Sequence, residues 1–148
     1  MMRHRRSIDE ARLRAAILEA EGATDVSIRV SVAPYFWGDV RGTAHRALAR
    51  QGSSGTAPRN AVLFFVVPAR REFVVLGGAD THERLGQDVW DAIAAGVQED
   101  ARAGDLTSAL IHGIKEVGRH LAVHFPRSDS PVRQLQQRRL DDRSDIQS

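Results

Sequence analysis

The chain contains no cysteine, which excludes disulfides, thiol catalysis and cysteine-ligated zinc. It has a single lysine, Lys115, among 21 basic residues, so almost all its positive charge is arginine, which never titrates. Charge of one sign is also lacking: 19 acidic residues leave a formal net charge of only +2. The arginines form no basic stripe and aromatics make up only 5%, which argues against a nucleic-acid surface. No long apolar run occurs. The longest, Ala61–Val67, is too short to span a bilayer and reads as a buried strand. The basic start MMRHRR precedes no apolar run, so it does not read as a secretory signal, and the expected location is the cytoplasm.

What is present suits one soluble domain. Its 148 residues can bury a core, and 42% are apolar. Residues 1–6 read as a basic disordered arm, 7–126 as the domain and 127–148 as a mobile polar tail. Ser7 and Glu10 have capping-box spacing, and Leu13, Ala16, Ile17 and Ala20 predict a helix over 8–21. Val26, Ile28, Val30 and Val32 alternate with polar residues, as in a strand. Pro34 ends it, and Tyr35, Phe36 and Trp37 follow as aromatic cover for a core edge or as a contact for a ligand or partner. Val40, Ala44, Ala47 and Leu48 predict a helix over 39–50.

Ala61–Val67 is apolar at every position, so both of its faces are covered by helices. Strand, helix and strand form a right-handed crossover, so the first two strands are parallel. The four residues 68–71 allow a hairpin, which makes 72–76 antiparallel to the central strand. Two helices follow, over 86–103 and over 106–124, the second capped by Asp105. The fold class is therefore α/β: a three-layer sandwich with a small mixed sheet of at least three strands, parallel plus an antiparallel hairpin, and helices on both faces.

The stretch EFVVLGGADTHERLGQDVWDAI, residues 72–93, concentrates the chemistry. A strand runs into Gly77 and Gly78, and a polar turn from Asp80 to Arg84 opens a helix. Ligand sites of α/β domains collect at such strand ends. Asp80 and Glu83 also have the spacing of a helix cap. His82 is placed to donate to a strand carbonyl, and Trp90 reads as core or edge packing. His112, His120 and His124 make only a partial helical face and do not read as metal ligands. No Ser-His-Asp set, phosphate-cradling glycine loop or H-E-x-x-H motif is present.

Residues 23–126 resemble a TPM domain, most closely the short bacterial members. The shared text is Arg59-Asn60-Ala61-Val62-Leu63, then Val75-Leu76-Gly77-Gly78-Ala79-Asp80-Thr81-His82-Glu83, Gly86, Trp90 and His124-Phe125-Pro126. The family pattern has Gly where this chain has Ala61, Asp where it has Gly78 and Gly where it has Asp80. The resemblance implies a compact α/β sandwich. Some relatives are described as phosphatases or divalent-cation binders, others as assisting assembly or repair of membrane complexes. The favoured expectation is a non-catalytic accessory module for a protein or membrane complex. The alternative is an acid-phosphatase-like hydrolase of phosphate monoesters. In it Asp80, Glu83 and Asp88 would hold Ca or Mg, with no organic cofactor. Arg59, Asn60, Gly77 and Gly78 would bind substrate, Arg59 by its planar fork of donors, and Arg59 and His82 would be catalytic.

Overall fold

The computed structural model describes residues 8–33, 38–51 and 58–128. Ser7, the aromatic run 35–37 and most of the proposed tail lie outside those residues.

The first helix, α1 (Glu10–Glu21), begins two residues later than the sequence predicts. Asp9 is its cap and accepts from the Arg12 N–H at 3.2 Å. The Asp9 N–H does not need a capping box, because it donates to Thr107 Oγ1 at 2.8 Å. Ile8 and Leu13 both join the core, at the two positions of a hydrophobic staple.

Strand β1 (Ser27–Val32) is followed by α2 (Val40–Ala49), β2 (Ala61–Val67) and β3 (Glu72–Gly77). The described sheet has the order β1-β2-β3. β1 runs parallel to β2, Ser27 facing Ala61, and β3 runs antiparallel, Val62 facing Gly77. The hairpin is a 3-10 turn over Pro68–Arg70, closed by Arg71 in the left-handed region at φ 53°.

Every residue of β2 is buried. Because side chains alternate along a strand, Val62, Phe64 and Val66 meet one core and Leu63, Phe65 and Val67 the other. The first core is closed by α1 and by two later helices, α4 (Gln87–Ala103) and α5 (Leu106–His124). The second is closed, among the described residues, by α2 through Val40, Ala44 and Leu48. This is the expected mixed sheet with helices on both faces. Past α5, Pro126 bridges to Thr24, Arg127 N–H donates to Ala23 and Ser128 N–H to Asp25, so the contacts of the domain run to Ser128. No helix among the described residues is long and apolar enough to cross a membrane.

The polar segment after β3 differs from expectation. It is a helix of its own, α3 (Ala79–Leu85), rather than a turn opening a long helix. Gly86, at φ 86° and ψ 161°, separates it from α4. The positive φ is where glycine alone carries no Cβ penalty.

Asp105 caps α5 as predicted, accepting from the Ser108 N–H at 2.7 Å and from the Ser108 hydroxyl at 2.8 Å. These bonds, the backbone one foremost, hold its carboxyl below the usual carboxylate range, with a smaller contribution from Arg12. A depressed folded-state value stabilises the fold above the unfolded-state value, and that stability is lost as pH falls through the folded one. Acid unfolding of Asp105→Ala, followed by circular dichroism, is therefore expected to show a flatter stability profile at and below the ordinary carboxylate range. An unchanged profile would remove the cap from the account.

Candidate functional site

The corner where β3 ends is assembled from two stretches of chain. Gly78 N–H donates to the Ala61 carbonyl at 2.8 Å and Asp80 N–H to the Arg59 carbonyl at 3.1 Å. These bonds lay residues 58–61 directly on 78–80. A Cβ at Gly78 would come within 2.7 Å of the Arg59 carbonyl oxygen, and closer still to that of Pro58. A Cβ at Gly77 would stand 2.5 Å from the Trp90 ring and 2.6 Å from Thr81 Oγ1. The two glycines are thus required by close approach, one to backbone and one to side chains. Thr81, fully buried, points its hydroxyl between the Gly78 carbonyl at 2.9 Å and the Ala61 carbonyl at 3.1 Å.

Asp80 does not cap α3. The cap position is Gly78, and no side chain bonds there. Asp80 lies in the first helical turn and pairs with Arg59 instead. Its Oδ1 accepts from Arg59 Nε at 3.0 Å and from Arg59 Nη2 at 2.7 Å. The hydrogen bond and then the charge of Asp80 raise the guanidinium above its ordinary value, and Glu83 adds a smaller pull. Such an exposed pair orients its partners more than it stabilises the fold.

His82 does not donate to a strand carbonyl. Its Nδ1 accepts from the Trp90 indole N–H at 3.2 Å. Trp90 is wholly buried, while His82 is exposed on α3. Asn60 contributes its backbone carbonyl, which accepts from the Ser27 N–H at 3.3 Å and ties the corner to β1.

Of the residues singled out from the sequence, Arg59, Gly77, Gly78, Asp80 and His82 are brought together, with Glu83 near enough to act on Arg59 by charge. Asp88 is not with them. It stands beyond the Gly86 break, on the rim of a groove of about 460 Å3 between α4 and α5, with His112, Glu116 and His120. Asp80, Glu83 and Asp88 do not form a three-ligand set as arranged. Among the described residues no cluster of three or more histidine or carboxylate side chains is placed to hold a metal ion. In the groove, His112 Nδ1 lies 2.6 Å from Asp100 Oδ2, a cross-helix pair.

Sequence reasoning missed one participant, Thr81, and one bond: Trp90 reads as packing and is wholly buried, but its contact with His82 had no signal. Thr81 carries no signal in a polar turn. Trp90 lies eight residues from His82 across a helix break, so neither helical nor strand periodicity links them.

A family model described as the TPM domain matches residues 6–120. No curated protein matches the chain. Among solved structures, it is similar to the NMR structure of the BA42 protein from the psychrophilic bacterium Bizionia argentinensis. The identity is 27% and the TM-score 0.69, with 80% of this chain and 84% of that chain covered. It is also similar to the N-terminal domain of the cg2496 protein from Corynebacterium glutamicum, at 19% identity and a TM-score of 0.60, covering 75% of this chain and 70% of that one. The second likeness is one of fold.

Proposed function

The chain belongs to the TPM domain family, and from that premise we propose that it acts as a non-catalytic interaction module, serving the assembly or maintenance of a protein or membrane complex. One observation carries the reading: the side chains that a hydrolase would use as phosphate clamp and base are each engaged by a neighbour. Arg59 is engaged by Asp80, and His82 Nδ1 is taken by the Trp90 indole. A phosphoryl-transfer site needs several fixed groups converging on one reacting centre. Here one guanidinium faces two carboxylates, Asp80 and Glu83, and a doubly charged phosphate monoester entering that corner would be repelled.

The alternative, a Ca- or Mg-assisted phosphatase, is what the test must detect. The protein is expected to show no turnover of phosphate monoesters with either ion. Titration with millimolar Ca or Mg is expected to leave the NMR signals of Arg59 and 80–88 in place. Hydrolysis by purified protein that disappears in both Arg59→Ala and Asp80→Ala would overturn the proposal.

A further inference from the structure

The Trp90–His82 bond has a chemical direction. An indole N–H only donates, and Trp90 is fully buried with its N–H on His82 Nδ1. No buried side-chain polar atom among the described residues lacks a partner, so this acceptor is what satisfies the indole. A ring nitrogen that accepts carries no proton. The neutral imidazole therefore holds its proton on Nε2, the tautomer being set by the bond at the other nitrogen. Nε2 itself meets no partner among the described residues, and His82 is exposed.

We infer that Trp90 is a positioning residue that locks His82 in the Nε2–H form, so that the corner offers an outward hydrogen-bond donor of fixed direction to an uncharged oxygen acceptor such as a peptide carbonyl. In this form Nδ1 is occupied by the indole and Nε2 carries the proton, so the ring turns a donor outward and no free lone pair. The choice of an uncharged acceptor follows from the surroundings. Asp80 and Glu83 lie with His82 in α3, Arg59 is paired with Asp80, and Arg84 of the same helix lies over the Phe125 ring at 5.6 Å. A carbonyl oxygen meets the donor without meeting that negative field. The ligand class rests on the reading of the domain as an interaction module, whereas the tautomer lock does not.

The test is long-range proton–nitrogen NMR on the full chain above about pH 8, where an imidazole is neutral. His82 is expected to show a bare Nδ1 and a protonated Nε2. An Nδ1–H ring, or an even mixture, overturns the lock. In Trp90→Phe, which keeps an aromatic ring and removes the donor, the two tautomers of His82 are expected to mix, and an unchanged pattern overturns the role of Trp90. His82→Ala provides a second route that leaves the core intact. The Trp90 indole N–H is then expected to exchange with solvent roughly tenfold faster than in the unsubstituted chain. Unaltered exchange overturns the lock. Millimolar inorganic phosphate is expected to leave His82 unshifted, and a saturable shift of His82 with Arg59 overturns the uncharged acceptor. Phosphate monoester turnover would sink the module reading while the tautomer stood, and an Nδ1–H ring would do the reverse.

Discussion

Gly78→Ala is expected to lower the free energy of unfolding by about 3 kcal/mol, a large effect for the addition of one methyl group. The backbone angles of Gly78, φ −64° and ψ 176°, are open to any residue, so the cost is not conformational. It comes from the neighbours. The added carbon would enter the space of the Pro58 and Arg59 carbonyl oxygens, and both are backbone atoms with no rotamer to yield. Relief requires residues 58–60 to move away. That movement breaks the Gly78–Ala61 and Asp80–Arg59 backbone bonds and pulls Arg59 off Asp80.

Gly78→Asp carries the same Cβ and is expected to be at least as damaging. Gly86→Ala is the matched control. There φ is 86°, and an added Cβ would meet nothing within 4 Å, so only the left-handed backbone is penalised, at about 1–2 kcal/mol. Urea unfolding of the three variants measures the order. A Gly78→Ala protein as stable as Gly86→Ala would mean that the 58–61 and 78–80 segments do not lie against each other as described.

That close approach also marks where the sequence stops being readable. β2 was legible because a run of seven apolar residues has few homes other than a strand covered on both sides. The two long C-terminal helices were legible from their stripes, and Asp105 from its capping chemistry. The separate helix α3 was not, because 80–84 reads as a polar turn before a helix that starts at 86, while Leu85, Val89, Ile93 and Val97 keep a spacing of four straight through Gly86. A continuous apolar stripe hides a change of axis between two helices that both pack on the same sheet face. Asp80 was misread for a related reason. Its spacing to Glu83 is that of a local cap, whereas its carboxylate is claimed by Arg59, 21 residues away in the chain. Nothing local announces such a partner. Likewise Asp80, Glu83 and Asp88 are close in sequence, but the turn at Gly86 sends Asp88 to the α4–α5 groove. Proximity along the chain survives into space only while one element continues.

Phe64→Ala is expected to cost about 4 kcal/mol and to cost more than Phe65→Ala, although the two residues are adjacent on β2 and lose the same atoms. Phe64 is 1% exposed and faces the core closed by three helices. Its ring lies where a Cβ on Gly113 of α5 would come within 3.2 Å, so the helix backbone is pressed close to it. The same added Cβ would stand 2.5 Å from Val97 Cγ2 of α4, so the missing side chain also lets α4 and α5 approach closely. A cavity at Phe64 would therefore be walled by three elements already in close contact, none of which can collapse into it without breaking contacts with the others. Residual cavity volume, rather than transfer alone, sets the penalty in such a site.

Phe65 faces the second core, where α2, a single ten-residue helix, is the described cover. One helix can settle toward the sheet and close part of the space. The comparison is made by urea midpoints at unchanged slope, so that both variants are read from the same unfolded state. If Phe65→Ala proves as costly as Phe64→Ala, the thinner face is as rigid as the thicker one. The difference in cover between the two sides of the sheet would then have no energetic consequence.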